Sequence, residues 1–413
     1  MINNRKDLTE QHTEKVGYVA LSIGLYFLLM PFDLTSLGTL GSFLRILAMV
    51  PVGTILLNYR KCTFGCKEAV LIIAYAFYKQ LSIIYTVFPT FTLQEAPRIA
   101  TNIILVLILG SLYYLNTKEV EMLKTALFMS SCLTVLLLLR YADFSGGGRL
   151  TIKTASGEID QNYLIGYFLY IIPFSARKLI DNKRYIYMAA IVAVLMITLM
   201  TGSRGGLLAV LVTLFLSVFG ELRKKKEVMH RNLLPLVSAG IGGMILLFFL
   251  LRFINPDILK RFSPSYVERF GTTGRTSIWK YFFKLFLEAS PLRELFGHGA
   301  GVSSFLNRMP TSMMGHVAHN LWIDELMTGG VIGLALLLLI HATFLYTAAA
   351  CRDVFTASVF FGYLIMCANL SIVSYKPMWN CMILIMLLHK NWKVNRRYGV
   401  RKNEYPIQTE TDD

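Results

Sequence analysis

Long apolar stretches separated by short polar connections fill most of this 413-residue chain. A helix of about 20 apolar residues crosses the hydrocarbon core of a bilayer, and most of these stretches approach or exceed that length. The pattern predicts an all-α, polytopic integral membrane protein, with about 12 transmembrane helices in a single membrane domain over residues 1–413. The predicted spans are 16–32, 37–58, 68–88, 99–116, 121–141, 162–180, 184–200, 204–220, 235–254, 319–348, 354–374 and 377–389.

Positive charge alternates from one connection to the next, which predicts the orientation of the chain. With the N-terminus in the cytoplasm, the cytoplasmic connections hold most of the Lys and Arg residues, as the positive-inside rule requires. Both termini are therefore expected in the cytoplasm, with a disordered tail at 403–413. The short connections on the outer side carry only Arg98, Arg149, Lys153, Arg204 and Lys376.

The hydrophobic content and the net charge of the chain limit the kinds of partner that it can bind. A hydrophobic content of 55% excludes a soluble globular protein. The net charge of +16 is explained by anionic lipid head groups, because the cations lie at helix ends and form no single stripe for a nucleic acid. Membrane lipids are expected partners, and nucleic acid is not. Cys62 and Cys66 form a C-x3-C pair without a partner pair, so no metal site is predicted there.

Two external connections are longer than the others, 142–161 and 255–318, and the second is a large external loop between spans nine and ten. Within it, residues 276–289 place Trp279 and Phe282 on one face of a predicted amphipathic helix. Two interpretations remain open. The helix lies on the outer membrane surface, or it packs on the ends of the helix bundle.

Two cations lie inside predicted spans, where ionisable groups are expensive and usually functional. Arg45 and Lys79 both fall in the predicted outer half of the bilayer, and no acidic residue inside a span offers them a counter-ion. An external diphosphate at head-group depth would supply one, because phosphate oxygens bind such cations strongly. The alternative is that both side chains extend to the interface without binding a ligand.

Three of the seven histidines belong to the large loop and its junction with the tenth span: His298, His316 and His319. No carboxylate completes a recognised metal-ligand pattern around them, so no metal is predicted. A histidine with a pKa near neutrality can accept a proton from a hydroxyl group, which makes His319 a candidate general base.

Three motifs share the predicted outer face. T-G-S-R-G-G-L-L at 201–208 surrounds Arg204 with Gly202, Gly205 and Gly206, which permit a sharp turn and close approach of a ligand. G-R-T-S-I-W at 274–279 places Arg275 at a predicted helix start, a position that favours anions. H-N-L-W-I-D-E-L-M-T-G-G-V-I-G at 319–333 opens the tenth span, and its site candidates are His319, Asn320, Asp324, Gly330 and Gly333.

In this order, and with one large external loop, these motifs resemble the O-antigen ligase and polymerase family of bacterial surface polysaccharide synthesis. The resemblance implies a GT-C-like fold and a glycosyltransferase that needs neither metal nor other cofactor. It implies that Arg204 and Arg275 bind the diphosphate and that His319 is the base. Arg45 or Lys79 would assist the two arginines, given their predicted position in the outer half of the bilayer. Asp324 and Glu325 lie within two turns of His319: the favoured interpretation places them on a solvated helix face, and in the other one of them, Asp324 as the candidate, orients the imidazole.

The implied donor is a glycan on undecaprenyl diphosphate, and the implied acceptor is a glycan or a lipid-linked glycan at the outer face of the bacterial cytoplasmic membrane. A polymerase of O-antigen, capsule or exopolysaccharide is the favoured activity, working with flippase and chain-length regulator proteins. A ligase that caps a lipid A core or another terminal acceptor is the alternative. A lipid-linked oligosaccharide flippase or exporter is the alternative from another class.

Overall fold

The computed structural model describes residues 16–34, 49–59, 67–111, 115–145, 148–154, 157–182, 184–224, 275–309, 314–371 and 375–397, together with position 373 and single positions between 242 and 265. Several predicted features lie outside these residues. They are Arg45, Cys62, Cys66, nearly all of the span at 235–254, and the tail at 403–413.

The protein is mostly helical and is a multi-pass membrane protein. Within the described residues, six helices are long and apolar enough to cross a membrane, and three shorter apolar helices accompany them. The total of 12 spans stays a prediction. The helices are Tyr18–Leu28 (α1), Lys67–Tyr85 (α2), Pro89–Leu109 (α3), Thr117–Tyr141 (α4), Gln161–Gly166 (α5), Ile171–Asn182 (α6), Ile186–Met200 (α7), Arg204–Lys224 (α8), Arg275–Leu287 (α9), Pro291–Phe296 (α10), Ser303–Leu306 (α11), Leu321–Ala350 (α12), Val354–Cys367 (α13) and Lys376–Arg397 (α14), with a 3-10 turn at Met30–Asp33 and a helical segment at 49–57.

A small sheet corrects the all-α prediction. The connection after α4 folds into three antiparallel strands, β1 (Ala142–Ser145), β2 (Arg149–Thr154) and β3 (Gly157–Glu158). Leu150, Thr151 and Ile152 of β2 are all buried, and the Thr151 hydroxyl donates to Ile159 O, so the middle of this strand is covered on both faces. The strand β2 contacts α4, α5 and α7, so the sheet closes one end of the bundle.

The core of the bundle is continuous across most of the described helices. The helix α8 packs against α13 and α6, α2 packs against α3 and α12, and α1 packs against α4. Tyrosine rings fill the centre between α5, α6 and α13, and their hydroxyl groups bind backbone carbonyls: Tyr170 donates to Pro377 O and Tyr363 donates to Gly166 O. Each of these two hydroxyl groups therefore has a hydrogen-bond acceptor although its ring is buried.

The longest helix, α12, is broken at Gly330, whose backbone has φ +61° and ψ −165°. The break leaves carbonyl groups without helical donors, and the segment after α10 and a tyrosine of α2 supply them. The backbone N–H groups of His298 and Gly299 donate to Met327 O and Thr328 O, both at 3.0 Å. The Tyr78 hydroxyl donates to Gly329 O at 2.5 Å. The segment after α10 is thereby joined to the broken helix by backbone hydrogen bonds.

A buried ion pair lies beside this break and corrects two expectations. Lys79 Nζ is 3.0 Å from both carboxylate oxygens of Glu325, and the two side chains are 2% and 0% exposed. Tyr75 donates to the same carboxylate at 2.8 Å, and Lys79 also contacts Thr328 Oγ1 at 3.3 Å. Lys79 therefore has a protein counter-ion, contrary to the sequence-based expectation. Glu325 does not belong to a solvated helix face, and neither does Asp324, which is 5% exposed.

The amphipathic helix takes the second of its two predicted positions. The helix α9 covers Arg275–Leu287, close to the predicted 276–289, and packs against α12. Ile278 and Phe282 are buried in a small cluster with Ile323 and Met327 of α12. The Trp279 indole donates to Ala318 O at 2.7 Å, which fixes the helix to the backbone just before α12.

Loss of either member of the Lys79–Glu325 pair should destabilise the fold, because the remaining charge stays buried without a partner. We expect Lys79→Met or Glu325→Gln to cost about 3 to 5 kcal/mol of folding free energy, and the double variant to cost less than either single variant. Thermal unfolding in detergent measures both effects.

The matched control is Arg98→Met, which breaks a pair that is 3.6 Å apart and whose arginine is 67% exposed. An exposed pair contributes about 1 kcal/mol or less, so this control should unfold close to the wild-type temperature. A Lys79→Met variant with wild-type thermal stability and lost donor binding would instead restore Lys79 as a diphosphate ligand.

Candidate functional site

The site begins at the turn between α7 and α8. Gly202 has φ +63°, in the left-handed region that favours glycine. Ser203 follows, and its hydroxyl oxygen accepts from the Gly206 N–H at 3.0 Å, which satisfies one of the free donors at the start of α8. Arg204 is the first residue of α8, so the turn places its guanidinium beside the positive end of that helix.

The two glycines after Arg204 permit close packing of α8. A side chain at Gly205 would collide with Asn369, which follows α13, and one at Gly206 would collide with Ile165 of α5. These glycines are thus explained by contacts with neighbouring helices, and Gly202 is the one whose backbone shape requires glycine.

The sheet and α5 form the second side of the site. Arg149 of β2 donates from Nε to Thr201 O at 2.8 Å, so it is attached to the turn before Arg204. Asp160 caps α5 by accepting from Asn162 N at 2.7 Å, and the Asn162 side chain accepts from the Ser203 hydroxyl. Hydrogen bonds therefore link the start of α5 to the start of α8.

Arg275 begins α9 and lies among other charged groups. Burial lowers the pKa of its guanidinium below the ordinary value, the negative charge of Asp160 acts in the opposite direction, and the positive charges of Arg204 and Arg261 lower it further. Arg204 and Arg261, from two other parts of the chain, thus both act electrostatically on Arg275. Like charges held together in this way favour an anion between them.

His319 lies immediately before α12 in an unusual backbone conformation. Its φ is +49°, which is uncommon for a residue with a Cβ and is found at functional sites more often than elsewhere. The neighbours on both sides hold it there. Asn320 caps α12 by accepting from the N–H groups of Trp322 and Ile323, at 3.0 and 3.2 Å, and Asp324 accepts from the N–H of Ala318 at 3.0 Å.

The His319 ring is partly exposed and belongs to the same electrostatic cluster. Burial lowers its pKa below the ordinary value, Arg275 lowers it further, Asp160 raises it, and His316 lowers it. The His316 and His319 ring centroids are 6.3 Å apart. The sequence-based expectation was a pKa near neutrality; the environment places it lower. A lower pKa keeps the imidazole neutral, and therefore able to accept a proton, at neutral pH.

Arg275 links the three residues that the motifs single out, because its charge acts on His319 and the charge of Arg204 acts on it. Lys79 belongs to the buried ion pair instead. Gly330 and Gly333 lie at the break of α12, where Gly330 packs against the backbone of Leu295. Asp324 binds the backbone of Ala318, so it holds the segment that carries His319.

His298, a second candidate base, is part of the fold. Its Nδ1 lies 3.0 Å from Met327 O, and its backbone N–H donates to the same carbonyl. His316 is exposed and remains close enough to His319 to influence it.

Sequence reasoning missed three members of the cluster, Arg149, Arg261 and Asp160. A signal for Arg149 existed in the alternation of Leu150 and Ile152 after three glycines, which indicates a hairpin and places Arg149 at its strand start. Asp160 precedes a helix and is a recognisable cap residue. Nothing in the local sequence distinguishes Arg261 from the other cations of the large loop.

Residues 189–338 match the family model described as O-Antigen ligase. A comparison with curated proteins gives no match. The matched region begins in α7 and ends in α12, so it contains Arg204, Arg275 and His319. The match confirms the resemblance that the motifs indicated: this segment is similar to the O-antigen ligase/polymerase family.

Proposed function

We propose that the protein is a membrane glycosyltransferase that transfers a glycan from undecaprenyl diphosphate to a sugar hydroxyl at the outer face of the bacterial cytoplasmic membrane. The observation that carries the proposal is the convergence of Arg204, Arg275 and His319, each at or next to the start of a different helix. Helix N-termini and arginines favour an anion, and a neutral histidine beside them can accept a proton.

The proposed reaction begins at the acceptor. His319 accepts the proton of the acceptor hydroxyl while the oxygen attacks the anomeric carbon of the donor glycan. The bond from that carbon to the phosphate oxygen breaks, and its electrons remain on the departing diphosphate. Attack from the face opposite the diphosphate inverts the anomeric centre. The products are a lengthened glycan, undecaprenyl diphosphate and a protonated His319.

The arginines stabilise the charge that develops on the leaving group. A guanidinium binds two phosphate oxygens at once, and its planar shape suits that geometry better than a lysine. Partial burial of Arg275 strengthens such contacts, because the surrounding medium screens charge less than water does. This positive charge is fixed before the reaction, so little reorganisation is needed when the bond breaks.

We favour a polymerase, in which the acceptor is a second glycan of the same kind. A ligase for a terminal acceptor is the second candidate, and the description of the matched family favours it. Labelled lipid-linked donor in proteoliposomes tests the class. A polymerase gives a ladder of glycans, a ligase gives one product with its terminal acceptor, and a flippase forms no new glycosidic bond.

Replacement of Arg204 or Arg275 by Ala should lower turnover by about 10²- to 10³-fold, the usual loss when a group that stabilises transition-state charge is removed. Lys should restore activity only in part, because a point charge does not bind two oxygens in the same way. Turnover and donor binding are measured on stability-checked protein, with exposed Arg308→Gln as the control. Full activity of Arg204→Ala would show that Arg204 does not bind the diphosphate and belongs only to the turn.

Replacement of His319 by Ala or Gln should lower turnover by about 10²- to 10⁴-fold and leave donor binding intact, since the arginines hold the diphosphate. In the wild type, turnover should fall as the pH decreases through a value below 6.5, because the lowered pKa keeps His319 neutral until that point and protonation then removes the base. A pH–rate profile measures this limb. Near-wild-type turnover of His319→Gln would rule out the general-base role and make His316 the next candidate.

The proposed orientation places residues 255–318 outside the cell and both termini in the cytoplasm. On a background without reactive native cysteines, Ser277→Cys should react with an impermeant maleimide in intact cells, and Arg223→Cys should react only after the cells are opened. Both positions are exposed, so accessibility does not confound the comparison. The reverse labelling pattern would invert the protein and place the site in the cytoplasm.

A further inference from the structure

The helix α2 carries a stripe of exposed apolar side chains. It is one of the six described helices that are long and apolar enough to cross a membrane. The stripe recurs every three or four residues, as one face of a helix requires, and consists of Val70, Ile73, Phe77, Leu81 and Ile84. Ile84 is 82% exposed and lies one residue before the end of the helix. In a helix that spans a membrane, an exposed apolar face of this kind contacts acyl chains.

The short helix α10 is fixed to the last two turns of α2. The hydroxyl groups of Tyr78 and Tyr85 both donate to Phe296 O, at 3.0 and 2.8 Å. Arg293 Nη1 donates to Tyr85 O at 2.8 Å, and the ring centroids of Tyr85 and Phe296 are 6.0 Å apart. Tyr78 and Tyr85 are about two helical turns apart. The end of α10 therefore lies alongside the span and not beyond it.

The break in α12 places α10 at the same depth. A Cβ at Gly330 would collide with the backbone of Leu295 and of Gly297, so these two segments are in close contact. From Gly330 the helix continues to Ala350, a length of about 30 Å at a rise of 1.5 Å per residue. The hydrocarbon core of a bilayer is also about 30 Å thick. We therefore place α10 where α2 and α12 reach the boundary of that core.

The exposed side of α10 is apolar, and a charged side chain is turned to the protein. Leu292 is 69% exposed, and Leu295 and Phe296 are exposed as well. Arg293, which lies between the two leucines in sequence, is partly buried and binds Tyr85 O. A surface helix in water has the reverse arrangement, with its apolar residues inside and its charged residues outside. The arrangement of α10 is the one expected for contact with hydrocarbon.

The preceding helix shows where this apolar surface ends. The exposed face of α9 carries Lys280, Phe283 and Lys284, and then Leu287 as the last residue of the helix. Lys284 lies 3.7 Å from Glu288, and both side chains are mostly exposed, as expected for charged groups at head-group depth. The surface thus changes from mixed and charged along α9 to apolar along α10.

We propose that α10, with the last residue of α9, is inserted among the acyl chains of the adjoining membrane leaflet, which is the outer leaflet in the proposed orientation. Leu287, Leu292, Leu295 and Phe296 contact the lipid and extend the lipid-facing stripe of α2. The partner is phospholipid and not a protein, because the patch continues the surface of a spanning helix. Insertion removes these side chains from water, which is the favourable direction for apolar surface.

Insertion of this end of α9 fixes the depth of its other end. Arg275 and Leu287 are about 18 Å apart along the helix axis. A helix whose last residue is held in hydrocarbon keeps its first residue within reach of the head groups, where the diphosphate of a lipid-linked donor lies. This consequence rests on the proposed function, whereas the lipid contact itself does not.

Spin labels test the contact directly. Leu292→Cys and Leu295→Cys are made singly on a background without native cysteines, labelled with a nitroxide and placed in phospholipid nanodiscs that contain no polyprenyl lipid. Relaxation by oxygen, which is apolar and concentrates in hydrocarbon, is compared with relaxation by a water-soluble nickel chelate. At both positions we expect the ratio of oxygen to nickel accessibility to match that of Ile84→Cys and to exceed that of Lys280→Cys several-fold.

The reference positions are matched to the two environments. Ile84 belongs to the exposed stripe of α2 and reports lipid, whereas Lys280 is exposed on the charged part of α9. Lys153→Cys adds a second water reference on β2, at a side chain that is 69% exposed. Each labelled protein must unfold at the temperature of its cysteine-free parent. Leu287→Cys supplies a third test position if a label on the short helix α10 lowers that temperature.

Two results would overturn the insertion. Labels on α10 that respond to nickel as Lys280→Cys does would place this helix in water. Labels that neither reagent reaches would show that protein, such as a second copy of the chain, covers the patch. Both results leave the proposed function intact, because glycan transfer is measured separately on the wild type. Conversely, a wild type that forms no glycosidic bond would leave the lipid contact standing.

Discussion

Backbone carbonyl groups that lose their helical donors inside a membrane protein must find other donors, and much of this structure depends on how α12 meets that constraint. The break at Gly330 frees carbonyls at Met327, Thr328 and Gly329. The segment 296–299 and Tyr78 supply the donors. The loop before α12 is therefore held to that helix by hydrogen bonds, and loss of either partner would leave a buried polar group without a partner. The Lys79–Glu325 pair lies beside the break, so these two opposite charges must also stay together for the region to remain folded.

The break at Gly330 also fixes the first part of α12, which begins next to the candidate site. The residues between His319 and Gly330 form a short helical piece whose far end is fixed by the break and whose near end carries the candidate base. The helix α9, which carries Arg275, packs on this piece through Ile278 and Phe282. The positions of Arg275 and His319 therefore both depend on this part of α12. Arg204 belongs to a different support, α8, which is joined to the sheet through Arg149.

Electrostatics explains why the site requires such support. The charges of Arg204 and Arg261 both repel that of Arg275, and partial burial of Arg275 makes this repulsion larger than it would be in water. Arg204 and Arg275 begin helices that have their own packing, α8 against α13 and α6, and α9 against α12, so the fold balances the repulsion between these two residues. The result is a preformed positive region at the starts of α8 and α9, which is the condition for electrostatic stabilisation without reorganisation.

Much of this arrangement was predictable from local sequence, and the remainder was not, for physical reasons. Arg204, Arg275 and His319 each occupy a motif with glycines or a helix start, and such signals are local. The counter-ion of Lys79 was missed because Glu325 is 246 residues away and follows an acidic neighbour, which resembles a solvated first turn. The sheet was missed although Leu150 and Ile152 alternate correctly, because strands of this length are weak signals beside long apolar helices.

The two acidic residues after His319 show how far residue type alone can predict a role. Asp324 and Glu325 are adjacent and have the same charge, but successive residues on a helix point about 100° apart and so meet different partners. Asp324 faces back to the N–H of Ala318 and fixes the backbone before His319, whereas Glu325 faces α2 and neutralises Lys79. The described hydrogen bonds of both carboxylates go to groups other than the imidazole. The unusual backbone of His319, with φ +49°, is instead maintained by Asn320 and Asp324 through bonds to backbone N–H groups on both sides. The orientation of the candidate base is therefore a property of the main chain at the start of α12, and this explains why the capping residues adjoin it directly in sequence.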